Sequence, residues 1–345
     1  MLKRSTHILA AIVVLLVLFV DVFAGGGKRN GTGGAQELLI PVGARGLALS
    51  GAYTSGITGL DAIYYNPAGL GAAGGNAEAM FSYMNYIADI NFTYAAAAFH
   101  MEDFGSIGIS VRSLDFGDIP YTTIENPYGT GATFSPTFVI FGVTYSNALT
   151  DRIRVGLNVN LITEEIERVA ASGVAFDAGV QYNGLAGIEG LKFGLVLKNL
   201  GPKMQFSGPD LLRSATDDET LKGAQFREIN AAAFELPSQM ELGLAYERRF
   251  SDLYSATFSS SFQNNTFSND EYKFAGEFVY DNMVFIRGGY TYVSEAANVE
   301  EESIFGPTFG VGFKVPGDLR LGVDYAFRSA TYFDANHMVT LNVGF

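Results

Sequence analysis

The sequence predicts an all-β protein: a 14-stranded antiparallel transmembrane β-barrel with a small N-terminal plug, or hatch, in its lumen. Three observations predict it. Apolar and polar residues alternate with period two from about residue 77 to the last residue. The connectors between alternating segments are short and long in turn. The stretch before them is dense in glycine and alanine and does not alternate. The expected division is residues 1–24 as signal peptide, 25–75 as N-terminal extension and lumenal plug, and 76–345 as barrel.

The elements are justified in chain order. Lys3 and Arg4 precede an apolar run from His7 to Val20, and Val22-Phe23-Ala24 supplies a cleavage site before Gly25. That is the layout of a secretory signal peptide cleaved near Ala24. Asp21 closes the run at about 13 residues, short of the roughly 20 a spanning helix needs. No later stretch approaches that length, which excludes a helical bundle of the inner membrane and leaves a soluble envelope protein or an outer-membrane barrel.

Composition narrows the classes further. The chain has 345 residues, 48% hydrophobic and 17% charged, with a formal charge of -14, no cysteine and no tryptophan. It is too apolar for disorder. Its field repels polyanions, so nucleic acid is not an expected partner. A disulfide framework and a cysteine-ligated metal site are both excluded.

Fourteen alternating segments lie near 77–87, 90–101, 105–114, 135–146, 152–163, 172–183, 191–200, 234–248, 253–264, 271–280, 283–294, 303–315, 318–329 and 336–345. In one of them Leu319, Leu321, Val323, Tyr325 and Phe327 share a face, opposite Arg320, Gly322, Asp324, Ala326 and Arg328. A soluble sandwich would put many Lys, Glu and Thr on the polar face. Here that face is mostly Gly, Ala and Ser with single charges, which suits a crowded lumen, while the apolar face meets lipid. Tyrosine and phenylalanine, 18 and 28 of them, supply the interfacial belts. Short connectors at 101–105, 147–151, 247–252, 281–282 and 316–318 read as periplasmic turns, and 115–134, 164–171, 201–233, 295–302 and 330–335 as external loops. The joints at 184–190 and 88–89 fit this alternation poorly. The terminal Phe345, after alternating apolar residues, reads as part of the signal that barrel-assembly machinery recognises.

Residues 35–75 are too apolar for a free tail and too long for a linker, and a plug within the barrel accounts for both properties. Two strings in it, Val42-Gly43-Ala44-Arg45-Gly46-Leu47-Ala48-Leu49-Ser50-Gly51-Ala52 and Asp61-Ala62-Ile63-Tyr64-Tyr65-Asn66-Pro67-Ala68-Gly69-Leu70, resemble the N-terminal region of the PorV/PorQ family, which is itself similar to FadL-type transporters of hydrophobic compounds. The match is dense over about thirty residues; elsewhere it amounts to strand number and spacing. The resemblance implies a fourteen-stranded barrel with an N-terminal hatch whose Asn66-Pro67-Ala68 turn forms part of the plug. It makes Gly43, Ala44, Arg45, Tyr64, Asn66, Pro67 and Ala68 the candidate plug and ligand-contact residues. It also implies service to type IX protein secretion, with secretion-system components and cargo C-terminal domains as partners, or traffic of hydrophobic small molecules.

Chemical motifs are scarce. Gly69-Leu70-Gly71-Ala72-Ala73-Gly74 satisfies a dinucleotide glycine pattern but lacks a βαβ unit around it. His100 and His337 mark neither a metal triad nor a Ser-His-Asp site. The acidic runs Asp217-Asp218-Glu219 and Glu300-Glu301-Glu302 read as solvated loop faces rather than calcium loops. Charges expected in the lumen are Arg112, Arg152, Arg154, Asp177, Lys192, Lys198, Glu241, Lys273, Glu277, Arg287, Arg320, Asp324 and Arg328, of both signs, so internal salt bridges anchoring the plug are expected, with a polar conduit as the alternative. The expectation is a non-enzymatic outer-membrane barrel with no cofactor, surrounded by outer-membrane lipid. An open porin for small solutes and an outer-membrane lipase are the alternatives.

Overall fold

The computed structural model describes residues 29, 31–72, 75–101, 104–215, 225–293, 303–315, 317 and 319–345. The signal-peptide segment, the two acidic runs and Ala73-Gly74 lie outside them. Fourteen strands form one closed antiparallel barrel. In chain order they are β1 Ala77–Asn85, β2 Asn91–Met101, β3 Gly105–Asp115, β4 Thr137–Ala148, β5 Ile153–Ile166, β6 Val169–Asn183, β7 Leu191–Leu200, β8 Gln239–Arg249, β9 Tyr254–Asn265, β10 Glu271–Tyr280, β11 Val284–Val293, β12 Phe305–Val315, β13 Arg320–Ala330 and β14 Asn336–Gly344. Each pairs with the next, and β1 closes on β14 from Glu78↔Gly344 to Asn85↔His337. Closure satisfies every strand edge, the condition for backbone to sit in hydrocarbon.

The side chains are arranged inside out relative to a soluble domain. Phe81, Ile109, Val111, Phe141, Leu157, Phe258, Phe309, Val323 and Leu341 are exposed on the outer face. Ser82, Ser110, Asn158, Asn160, Gln263 and Thr340, on the opposite parity, are buried. The sheet therefore hides its polar face and presents its apolar one, which is favourable only where hydrocarbon surrounds it.

Both chain ends of the barrel lie with the short turns, the periplasmic end in such barrels. Asn76 N–H donates to the Phe345 carbonyl at 2.9 Å, and Phe345 N–H to Ala77 at 2.9 Å. The misfit at 184–190 is a compact turn with a 3-10 segment at Leu185–Gly187; the tight external joint between β1 and β2 turns through Ala88 and Asp89, both at positive φ. Two expectations are corrected. Residues 164–171 are not a loop: β5 and β6 continue to a two-residue turn, Glu167-Arg168, with Glu167 at φ 57°. The apolar signal fades there because the hairpin passes beyond the lipid, while its backbone ladder continues. Arg152 is not in the lumen; β5 begins at Ile153, so Arg152 falls in the preceding turn and is exposed.

The N-terminal segment fills the ring with short pieces: a 3-10 turn at Gln36–Leu39, α1 Ala44–Ala48, a 3-10 turn at Gly59–Asp61 running into α2 Ala62–Tyr65, and a 3-10 stretch at Pro67–Ala72. Helices this short are not self-sustaining and depend on what surrounds them. Val42, Leu47, Leu49, Ile57, Leu60, Ile63 and Leu70 are buried with Met80, Met84, Phe92, Tyr94 and Leu114 of the wall.

Candidate functional site

The site is the contact between this segment and the wall. Gly43 leads into α1 at φ 70°, and a Cβ there would fall 1.9 Å from Asp61 Oδ1, so only glycine fits. Ala44 N–H then donates to Thr340 Oγ1 at 2.8 Å. Arg45 reaches Glu277 through two bonds, 3.1 and 3.2 Å. Glu277 Oε2 also accepts from Arg287 Nε at 2.6 Å, and Arg287 bonds Asp324 in turn. Four charges thus form one chain running from plug to β10, β11 and β13. Burial opposes the Arg45 charge, but Glu277, Tyr53 and Asp61 together outweigh it and raise the guanidinium pKa.

At the other end of α1, Thr308 Oγ1 donates to the Ala48 carbonyl at 2.8 Å, and Ser50 and Thr308 hydroxyls lie 2.9 Å apart. The Asn66-Pro67-Ala68 turn docks on β4 to β6. Asn66 Nδ2 donates to the Thr54 carbonyl at 3.0 Å and the Val180 carbonyl at 3.2 Å, while its Oδ1 accepts from Ala68 N–H at 3.2 Å. Gln181 Nε2 donates to Thr54 and Ile57 carbonyls, and Ser146 Oγ to the Ala68 carbonyl at 3.0 Å. Wall glycines admit this backbone: a Cβ at Gly156 would stand 2.2 Å from the Pro67 carbonyl carbon. Tyr64 donates to the Leu39 carbonyl at 3.0 Å and lies under the Lys198 ammonium, 3.6 Å from its ring centroid. Burial pushes both Tyr64 and Tyr65 above the ordinary phenol range.

Two plug carboxyls are perturbed. Burial raises Asp61 to about 7, against the opposing pull of Arg45; among the described residues its Oδ1 has no hydrogen-bond partner. Burial and the adjacent Glu164 carboxylate raise Glu37 to about 8.

Of the expected lumen charges, Arg112, Asp177, Lys198, Glu241, Lys273, Glu277, Arg287, Asp324 and Arg328 are buried inside. Arg154 and Arg320 lie half-buried at the periplasmic end of the wall, and Lys192 pairs with Glu247 at 2.8 Å. Asp177 accepts from Asn158 at 2.8 Å and Asn160 at 2.9 Å, Arg112 donates to Asn160 at 2.9 Å, and Lys273 bonds Gln263. Sequence reasoning had singled out charges and missed the neutral docking residues Ser146, Gln181, Thr308 and Thr340. Their signal was present, as larger polar side chains among Gly and Ala on the inward parity.

It also missed an apolar zone. On the inward parity of β1 to β5, toward the external mouth, stand Met84, Phe92, Leu114, Phe138, Ile140 and Ile162. Half-buried Tyr86, Ile90 and Phe116 extend it, and Phe116 and Phe138 meet edge-on at 4.9 Å. As for hydrolysis, His100 Nδ1 and Ser106 Oγ are 2.8 Å apart, but among the described residues His100 Nε2 has no partner and no carboxylate orients the ring.

No protein-family model matches the sequence, and no curated protein matches it either. Solved structures do. The chain is similar to a TodX deltaS2S3 mutant monoaromatic hydrocarbon channel, at TM-score 0.53 and 14% identity, over 88% of this chain and 97% of that one. It is equally similar, at TM-score 0.53 and 10% identity, to a Pseudomonas aeruginosa FadL homologue, over 88% of this chain and 97% of that one. At these identities the likeness is one of fold: a closed antiparallel β-barrel similar to those of the hydrocarbon channel and the FadL homologue.

Proposed function

We propose that this chain is a non-enzymatic outer-membrane channel for hydrophobic molecules, closed at rest by residues 35–72. The observation that carries the reading is the apolar inward wall of β1 to β5 on which the plug is packed: once the plug moves, the lumen presents Phe92, Leu114 and Phe138, for which an aqueous pore for polar solutes has no use. A molecule with little polarity gains from replacing the plug against that wall and leaving water. The hydrocarbon-channel neighbours support the same direction. The finer placement in the PorV/PorQ kind rests on the Val42 to Leu70 strings alone, and with it the export role.

The test is reconstitution of the intact barrel in planar bilayers, together with analysis of what copurifies. The expected result is a silent intact barrel that conducts after deletion of residues 35–72, with lipid or another apolar molecule retained on purification. A large steady conductance from the intact protein would overturn the plugged reading in favour of an open porin. A copurified exported protein would move the assignment to export.

A further inference from the structure

Outside the lumen, the outer face of β8 to β12 carries an indentation of about 660 Å³ toward the periplasmic end. Its walls are Tyr246, Phe258, Phe278, Ile286 and Phe309, all exposed on the hydrocarbon side. Its floor is the cross-strand pair Gly276 and Gly288, continued in register by Phe258 on one side and Phe309 on the other. The chain's own packing does not call for these glycines. Neither has a positive φ. A Cβ at Gly276 would meet nothing closer than the Thr257 carbonyl at 4.0 Å, and one at Gly288 nothing closer than the Phe309 ring at 3.7 Å. Along both strands the same-face neighbours, Phe274 and Phe278, Ile286 and Tyr290, are large.

At the mouth of the indentation stands Arg248, exposed near the end of β8, its guanidinium 5.6 Å from the Phe250 ring centroid. Among the described residues it makes no ion pair. Tyr254 and Tyr280, with rings 5.2 Å apart, flank the same end of the barrel and mark the aromatic belt of a membrane interface. A cation at interface level above an apolar trough that enters hydrocarbon has two chemistries in a fixed order, and a glycerophospholipid has the complementary two.

We propose that this is a binding site for an anionic glycerophospholipid of the periplasmic leaflet, with an acyl chain in the Gly276–Gly288 trough and the phosphate on Arg248. The volume lies within the roughly 300–1,000 Å³ typical of specific ligand sites, and the cation selects for headgroup charge as interfacial Arg does.

The absence of tryptophan makes the test clean. A Phe309→Trp variant places a single indole at the trough, and Phe141→Trp places one on the outer wall of β4 as reference. Each is reconstituted in mixtures containing phosphatidylglycerol or phosphatidylcholine with brominated chains, and quenching gives the relative affinity for the two lipids. The expected result is a preference of about fivefold for phosphatidylglycerol at position 309, the factor that ~1 kcal/mol per interfacial cation implies, against near parity at position 141. Arg248→Gln should abolish the preference, and Gly276→Leu should reduce quenching at position 309 by both lipids. Equal preferences at the two positions, or one that survives Arg248→Gln, would overturn the proposal. If Phe309→Trp does not fold, Phe258→Trp reports on the opposite wall of the same trough.

Discussion

Glu277→Gln is the sharpest probe of how the plug is held. Glu277 carries both ion-pair contacts of Arg45 and one of Arg287, and it is only 6% exposed. The neutral amide leaves Arg45, half-buried, without its charged partner and takes one carboxylate from the fully buried Arg287. Removing one member of a buried pair costs about 3–5 kcal/mol because the survivor stays desolvated. A residual bond to the amide oxygen trims this to about 3 kcal/mol, which is roughly 150-fold in the docking equilibrium. Since the chain lacks cysteine, Ser55→Cys is a nearly isosteric reporter within the plug: Ser55 is fully buried and its hydroxyl has no partner among the described residues. The maleimide labelling rate of that thiol, divided by the rate at an exposed Tyr128→Cys site, reads the undocked population. Glu277→Gln should raise the ratio by about two orders of magnitude, while heat-modifiable migration shows the barrel intact. A ratio within threefold of the parent, with the barrel intact, would refute the claim that this ion pair holds the plug.

Other outcomes follow from the same contacts. Asp61 is raised from its ordinary value of 3.8 to about 7 by burial, so the folded state binds the proton more tightly than the unfolded state does. Asp61 thus makes docking most favourable below about 4, a contribution that weakens as pH rises toward 7 and levels off above it, by at most about 4 kcal/mol; Glu37, raised to about 8, extends the fall to higher pH, so the normalised labelling ratio at position 55 should climb across both windows and Asp61→Asn should remove the lower part of the climb. Gly156→Ala forces a methyl against the Pro67 backbone and should loosen the Asn66-Pro67-Ala68 turn by about 1–3 kcal/mol, read as faster hydrogen exchange at Ala68 and Gly69 with β5 amides unchanged. Asn66→Ala takes one donor from the Val180 carbonyl and one from the Thr54 carbonyl, which keeps Gln181, and leaves Ala68 N–H without its acceptor; it should cost about 1–3 kcal/mol, visible as protease access to residues 50–70. Arg152→Gln, in an exposed turn, should leave thermal stability and labelling within error of the parent.

The wall was legible because period two is a local rule. Leu321, Val323 and Tyr325 opposite Asp324 and Arg328 state the face, the strand and the solvent within ten residues. The rule fails where its cause stops acting. At Glu164 and Glu165 the hairpin rises past the lipid: inward and outward positions still alternate, but both are polar, so the ladder outlasts its hydropathy signature. Arg152 keeps the inward parity but precedes the strand that would have carried it inward. The plug was legible as an insert, from composition, but its seat was not. Asp61 against Gly43, Lys198 over Tyr64 and Gln181 on Thr54 are meetings between residues far apart in sequence, and nothing local encodes them. The apolar mouth was hidden for a related reason. Phe92, Leu114 and Phe138 lie on the parity read as polar, where each looked like an isolated exception.

The occupant of the barrel is fastened top and bottom. At the periplasmic side Asn76 is stitched to Phe345 and, through its carbonyl, to His100 N–H at 2.9 Å. At the outer rim Gly34 N–H bonds the Glu235 carbonyl at 3.1 Å, and Arg29 pairs with the Glu235 side chain at 2.6 Å. That upper clasp is half open to water, where such pairs contribute only ~0–1 kcal/mol, whereas the lower one merges with the seam of the wall. Unfastening should therefore begin at the cell surface and work inward, and the freed segment stays leashed to the first strand, slackening in place instead of being expelled.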